Sequence, residues 1–378
     1  RGRRQGAVAP ARCHRRCPPH MWRFLGLEGA SQDGTGRMVS LGGRQLRLQR
    51  VMAEGGHATI YEARDTGSGA RLAVKRVLVP EERAAAAARE LEIHRSLRHD
   101  NLLALLGDSH ERRKDGTEEF LALLPYAGGG HLWEYATSAP MKPLAKLRAL
   151  EHVAAALAHM HSKALTHFDV KIENVLVSSP VAGGPGPGPK FALCDFGSAR
   201  ESPEGQPGGV LPSDLDRRGR MELEEWVGAH TTPMYRAPEL CDLHNGLRLG
   251  PPADVWALGC LLFTLCFGVH PFADASPVQI LSGKWGAPPG AVIDDAFLAL
   301  IRAMLRLDPA SRPRSSSLAE AAAMMQRGAA AHAGRGGVAR LGSLTDSEIG
   351  SIVAVLRPPA RQPSRPSSPL APPAPPRC

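Results

Sequence analysis

"LTHFDVKIENVLV", residues 165–177, decides how the chain is read. It places Asp169, Lys171 and Asn174 close together, between apolar residues at either end. Buried polar side chains are costly unless they have partners. An acid, a cation and an amide at this spacing therefore point to a short, rigid, chemically used loop. The three types also answer three needs of phosphate chemistry: a carboxylate to orient a hydroxyl, a cation to face negative charge, and an oxygen donor for a hard metal ion. Phe168 stands directly before Asp169.

The partners of such a loop are found elsewhere in the chain. Asp195, in "FALCDFGSA", follows an apolar strand and precedes Phe-Gly. With Asn174 it makes a candidate magnesium pair, since magnesium takes one or two protein oxygens and leaves the rest to phosphate and water. Lys75, in the alternating strand "LAVKRV", needs an anion; Glu90 on the next helix is its natural companion, with Glu92 as the fallback. Gly55 and Gly56 lie in a turn between two strand patterns.

Residues 44–80 alternate apolar and polar positions between Gly-rich turns, which predicts consecutive antiparallel strands. Residues 81–97 are Ala-rich with an apolar stripe, which predicts a helix. Residues 118–126 read as a strand. "YAGGG", residues 126–130, reads as a hinge. Beyond 141 the pattern turns helical, with one or two helices to 164 and further helices over 255–267 and 294–307. The class is α+β, a small sheet-rich part followed by a larger helical part. "SSPVAGGPGPGP", residues 178–189, reads as a lengthened hairpin loop. Thr345 and Glu348 form a capping box ahead of Ile349, Ile352, Val353 and Leu356, whose spacing predicts a short helix; such a helix either docks a partner or, more commonly, packs back on its own domain.

The chain has 378 residues and a formal net charge of +9. Residues 1–27 and 351–378 contain eleven arginines and no acid, so the middle of the chain is slightly acidic. The basicity thus belongs to the ends, and no aromatic interleaving suggests specific nucleic-acid binding. Seven scattered cysteines do not form a disulfide framework. Cys194, Cys260 and Cys266 are expected to be buried thiols. The group Cys13, His14, Cys17 and His20 lacks a second ligand pair and reads as tail rather than as a zinc knuckle. "VWALGCLLFTLCFGV", residues 255–269, is too short to span a bilayer and predicts a buried helix; no transmembrane segment is expected.

Taken in order, Lys75, Glu90, residues 167–174, Asp195–Gly197, "APE" at 237–239, "ADVWALG" with Asp254 and "DPASRP" with Arg312 resemble a eukaryotic Ser/Thr protein kinase domain over residues 44–325. "AEGGHATIYEA", "VKIENVLV", "LCDFGSA" and "TTPMYRAPEL" are similar to the numb-associated kinase family, which includes the cyclin-G-associated and adaptor-associated kinases. The resemblance implies a bilobal fold, with an antiparallel-sheet N-lobe over about 44–125 and a mainly helical C-lobe over about 126–325. The kinase domain would occupy 38–335, between a basic disordered tail at 1–37, a short helix at 344–356 and a Pro/Ser/Arg-rich tail at 357–378. It implies ATP and Mg2+ as cofactors and protein Ser/Thr as acceptor. It further implies clathrin-adaptor components as partners and a cytoplasmic place, peripheral at vesicle membranes. Asp169 and Lys171 would be catalytic, joined by Thr232; Gly55, Gly56, Lys75, Glu90, Tyr126 and Ala127 would serve the nucleotide; Asn174 and Asp195 would hold the metal. Asp254 would anchor the catalytic loop, and Glu239 would pair with Arg312.

The chain departs from the pattern at two places. The glycine-loop slots read Ala53, Gly55, Ala58 and Ile60, with His57 at the tip. Phe168 stands where most kinases carry an arginine that binds a phosphorylated activation segment. The segment at 198–236 is therefore expected to be ordered by packing, with Trp226, Leu240 and Leu243 as candidates, and the family implies an extra helix after it. The competing reading is a pseudokinase scaffold that binds nucleotide or a partner without transfer.

Overall fold

A computed structural model describes residues 34–56, 58–178, 188–203, 208–331 and 345–358. The Cys13–His20 group, most of both basic tails, His57 and residues 179–187 of the Gly/Pro insert lie outside the described residues. The chain divides into two compact units. One contains Leu105–Pro125 and the residues up to Ala87; the other contains Ala88–Ala104 and the chain from Tyr126 onward.

The first unit is built from β1 (Met38–Leu41), β2 (Arg44–Glu54), β3 (Ala58–Asp65) and β4 (Arg71–Val79). Helix α1 (Glu81–Ser96) begins here, and β5 (Gly107–Arg112) and β6 (Glu118–Pro125) complete the unit. All pairings are antiparallel, in the order β1-β2-β3-β4-β6-β5. Strand side chains alternate between faces. Leu46 and Leu48, Tyr61 and Ala63, Leu72 and Val74, and Leu121 and Leu123 accordingly meet in one apolar core. Glu62, Arg76 and Glu119 are also buried, and arginines hold the acids: Arg50 and Arg71 bond Glu62, while Arg37 and Arg76 bond Glu119. The first and last strands curl toward each other at Gly42. A Cβ there would lie 2.6 Å from the Leu106 carbonyl oxygen, and the residue has φ of +56°, so only glycine fits.

Strands β2, β3 and β4 match the alternating stretch of the sequence, and β6 is the strand expected at 118–126, buried along nearly its whole length. The sequence reading had no β1 or β5. The β5 stretch "GDSHER" is polar throughout because it is an edge strand with little apolar surface to bury.

In the second unit, α2 (Leu132–Ser138) and α3 (Pro143–Ser162) precede the short strands β7 (Leu165–Thr166), β8 (Val175–Ser178), β9 (Lys190–Leu193) and β10 (Arg200–Glu201). The helices α4 (Arg217–His230), α5 (Pro238–Cys241), α6 (Pro251–Phe267), α7 (Pro277–Ser282), α8 (Asp295–Met304), α9 (Ser315–Ala331) and α10 (Asp346–Val355) follow. Residues 143–162 thus form a single helix, whose Leu147, Leu150, Val153, Ala154, Leu157 and Met160 make the buried stripe. Every residue of α6 from Ala253 to Leu265 is buried. This is the long apolar run of the sequence, and no helix among the described residues is long and apolar enough to cross a membrane. The strands β8 and β9 pair antiparallel on either side of the Gly/Pro insert.

Two expectations are corrected and one is refined. The extra helix does not follow the 198–236 segment but lies inside it, as α4. Asp216 caps its N-terminus by accepting from the Gly219 N–H, and Leu223 and Val227, one turn apart, bury its inner face. The apolar stripe of α10 is split: Ile352 is buried, and Val355 and Leu356 pack on the core, whereas Ile349 and Val353 are about half exposed. Of the three thiols, only Cys260 is fully buried; Cys194 and Cys266 are half-buried.

Candidate active site

The opening stretch folds as β7, a turn at 167–171, a single 3-10 turn over Ile172–Asn174, and β8. The turn gathers polar groups around the Asp169 carboxylate. Thr232 donates to Oδ1 from its N–H at 3.1 Å and from its hydroxyl at 2.6 Å. Lys171 Nζ donates to Oδ2 at 2.6 Å and to Thr232 Oγ1 at 3.1 Å. Asn174 Nδ2 donates to Oδ2 at 3.2 Å and to the Asp169 carbonyl at 2.9 Å. Asp169, Lys171, Asn174 and Thr232 are therefore one connected network, although Thr232 lies sixty-three positions from Asp169.

The turn is held from below by a buried acid. Asp254, 1% exposed on α6, accepts from the His167 N–H through Oδ2 and from the Phe168 N–H through Oδ1, each at 2.8 Å. Phe168 has φ of +64°, a left-handed conformation that costs a bulky residue roughly 1–2 kcal/mol. Two charge-assisted bonds to Asp254 offset that cost. His161 at the end of α3 also reaches Asp254 Oδ2, at 2.9 Å through Nε2. A carboxylate only accepts, so Nε2 carries a proton; Nδ1 lies 2.9 Å from Ser315 Oγ. The sequence reading named Asp254 but not His161. Its only local signal was a histidine on the last turn of an amphipathic helix.

Asp195 is exposed and also left-handed, with φ of +66°. Phe196 beside it is buried between the rings of His94 and His167, at centroid distances of 4.8 and 5.9 Å. Glu90, on the part of α1 that belongs to this unit, brings its carboxylate beside Gly197: a Cβ on Gly197 would lie 3.3 Å from Glu90 Oε2 and 3.5 Å from Asp195 Oδ1. Glu92 is exposed. Asn174 is tied to the same strand end, because its carbonyl accepts the Cys194 N–H at 2.9 Å. With Nδ2 committed to Asp169, the Asn174 amide presents its oxygen on the other side. An exposed carboxylate and an amide oxygen are hard donors, which fits magnesium bound together with phosphate oxygens. No group of three or more His, Cys, Asp or Glu that could hold a metal occurs among the described residues.

Lys75 lies on β4 of the first unit, paired in register with Ile60 and Ala122. Gly55 closes the β2–β3 turn, its N–H donating to the Ala58 carbonyl at 2.8 Å, and Gly56 faces open space. Tyr126 and Ala127 open the second unit, where the Ala127 carbonyl accepts from the Gly130 N–H at 3.2 Å.

Phe168 is met by Trp226 of α4, edge to face, with ring centroids 5.3 Å apart at 80°. The same indole is covered by the Arg200 guanidinium at 4.4 Å and stacked on the His230 ring at 5.2 Å. Burial, and secondarily Arg89, pushes the Arg200 pKa down. Leu240 and Leu243 are buried in the same core cluster. Arg236 fastens the carbonyl end of α4. Its Nε donates to Thr231 Oγ1 at 2.6 Å, and Nη2 reaches the carbonyls of Val227, Gly228 and Thr231. A cation here suits the negative end of a helix. Arg200 and Arg236 were not singled out from sequence, since nothing local distinguishes them from surface arginines. Below the segment, Glu239 and Arg312 form a fully buried two-pronged ion pair at 2.7 and 2.8 Å, with Trp256 stacked on the guanidinium at 5.1 Å.

Residues 46–324 match the protein kinase domain family. The chain belongs to that family, and its architecture, with an antiparallel sheet in one unit and helices in the other, is the kinase fold. It is 30% identical over 290 residues to a probable serine/threonine-protein kinase of Dictyostelium discoideum, covering 74% of this chain and 24% of that protein. It is 29% identical over 305 residues to actin-regulating kinase 1 of Saccharomyces cerevisiae, covering 77% of this chain and 45% of that one. A second probable serine/threonine-protein kinase of Dictyostelium discoideum is 30% identical over 292 residues, covering 75% and 34%. The chain thus spans less than half the length of these relatives.

Proposed function

We propose that the chain is an active Ser/Thr protein kinase whose activation segment is ordered by packing rather than by phosphate. The observation that carries the reading is the closed network of Asp169, Lys171, Asn174 and Thr232. Bound ATP and Mg2+ would supply the transferable phosphoryl group and neutralise its charge. Asp169 orients the acceptor Ser or Thr hydroxyl and takes its proton. A carboxylate offers about four lone-pair sites. All four are occupied, so an incoming hydroxyl displaces one donor. The Thr232 hydroxyl can rotate away at least cost. Lys171 then faces the transferring phosphate, and Asn174 and Asp195 hold the metal. By resemblance to the family, Lys75, Glu90, Gly55, Gly56, Tyr126 and Ala127 serve the nucleotide. A scaffold without transfer would have no use for this arrangement of charges.

Phe168 cannot bind phosphate, and its ring meets Trp226 instead. That contact supports a segment competent without phosphorylation. The similarity of the loop and activation-segment motifs to the numb-associated kinases supports clathrin-adaptor components as substrates and a vesicle surface as the working place. The name of the yeast relative makes actin regulation the competing pathway. The test is transfer of labelled phosphate from ATP with magnesium by the full chain, beside Asp169→Asn and Asp195→Ala. The wild type is expected to label protein acceptors on Ser or Thr, and the two variants to fall to background. Equal, poor transfer by all three would end the enzyme reading. Purified adaptor subunits as acceptors, against actin-associated proteins, separate the two pathways.

A further inference from the structure

We infer that Ser198 is a positioning residue, a hydroxyl latch that joins the two ends of the activation segment and is opened by negative charge. This inference rests on the reading above. Ser198 stands three residues after Asp195, and its Oγ donates to the His230 carbonyl at 2.6 Å. His230 is the last residue of α4, and its ring is stacked on Trp226, the residue that meets Phe168. Two residues further on, Thr232 bonds both Asp169 and Lys171. One hydroxyl therefore ties the metal-side start of the segment to the turn that aligns the catalytic aspartate.

The surroundings of the latch give the sign of its response to charge. At this end of α4 the carbonyls of Trp226, Val227, Gly228, His230 and Thr231 all accept hydrogen bonds. Arg236 is committed to three of them and Arg200 lies over the indole. An anion at position 198 would lose the donor proton and face the negative end of a helix. Charge here should switch the segment off, opposite to a segment that an arginine closes around phosphate.

The experiment compares the full chain with Ser198→Ala, Ser198→Thr and Ser198→Asp. Steady-state kinetics give kcat and KM for ATP and for a protein acceptor, and amide hydrogen exchange follows residues 217–232. Loss of one hydrogen bond predicts a kcat about five-fold lower for Ser198→Ala. KM for ATP should stay unchanged and exchange in 217–232 should quicken. Ser198→Thr keeps the donor and restores both, and Ser198→Asp is at least as impaired as the alanine variant. Wild-type kcat in Ser198→Ala, failure of threonine to rescue, or a more active aspartate variant overturns the latch. A wild type that transfers no phosphate would instead count against the kinase reading, and the exchange rates would still decide the latch.

Discussion

Replacing Trp226 with alanine removes the ring on which the activation segment is packed. Three contacts go together: the edge-to-face contact with Phe168 at 5.3 Å, the Arg200 guanidinium at 4.4 Å and the His230 stack at 5.2 Å. An aromatic pair contributes about 0.5–1.5 kcal/mol beyond its buried area. A partly desolvated cation over an indole contributes about 0.5–2 kcal/mol. Because the contacts share one ring they do not add fully, and a loss of roughly 2–3 kcal/mol is expected, about 30- to 150-fold in the balance between packed and open segment. The loss is local, since Leu223 and Val227 still bury the inner face of α4. The expected result is a kcat lowered by at least about ten-fold, with amide exchange accelerated in residues 217–232 and only a small change in thermal midpoint. Trp226→Phe, which keeps an aromatic face, should recover part of the activity. Unchanged exchange in α4 together with wild-type kcat would refute the reasoning, because it would mean that the indole does not hold the segment.

Glu239→Ala leaves the Arg312 charge fully buried without its carboxylate. Breaking such a pair costs about 3–5 kcal/mol. The thermal midpoint of the helical unit should fall by roughly 6–20 °C at about 2–4 °C per kcal/mol, with Glu239→Gln intermediate; a shift no larger than that of an exposed Glu→Ala control would contradict the account. The two units should also respond to acid in different windows. Burial pushes the His152 and His270 pKa values down from 6.5 to about 4, and for His152 Arg148, Lys190 and His99 add to the effect. Between those values the unfolded chain binds protons that the folded helical unit does not, so its stability is lost as pH falls from 6.5 toward 4. Glu119 behaves as a depressed acid: burial alone would raise it, but Arg37 and Arg76 outweigh burial and take it from 4.5 to about 2. Its contribution is present above pH 4.5 and is lost only as pH falls toward 2. Chemical denaturation at a series of pH values, read by exchange in α3 and in β6, should show the helical unit weakening first.

Much of this arrangement is legible in the residues because it repeats a simple physical pattern. The alternation in β2, β3 and β4 marks strands, the short apolar run of β6 marks a buried one, and the buried stripe of α3 marks a helix on a core. Asp169, Lys171, Asn174 and Asp195 stand out because charged and polar side chains between apolar runs need partners. The parts that escape notice lack such contrast. Strand β5 is a polar edge, and "DRRGRMELEEWVGAH" hides a helix whose inward face is only Leu223, Val227 and half of Trp226. His161, Ser198, Arg200 and Arg236 gain their roles only from residues at least five positions and mostly tens of positions away, and no local spacing records that. Phe168 is the informative middle case. Its oddness is visible in sequence, and the structure supplies Trp226 as its partner.

The central claim, a segment competent without phosphate, is tested most directly by assaying enzyme stripped of phosphate. Ser198 and Thr231 have structural hydrogen bonds, so the remaining hydroxyl residues before Thr232, Ser202 and Ser213, are the ones to replace. The measurement is kcat of the Ser202→Ala, Ser213→Ala double variant after phosphatase treatment, beside untreated wild type, with intact mass confirming the absence of phosphate. The account predicts kcat within about two-fold of wild type, since no bond of the packed segment is removed. A loss of activity restored by phosphorylating the wild-type segment would contradict it.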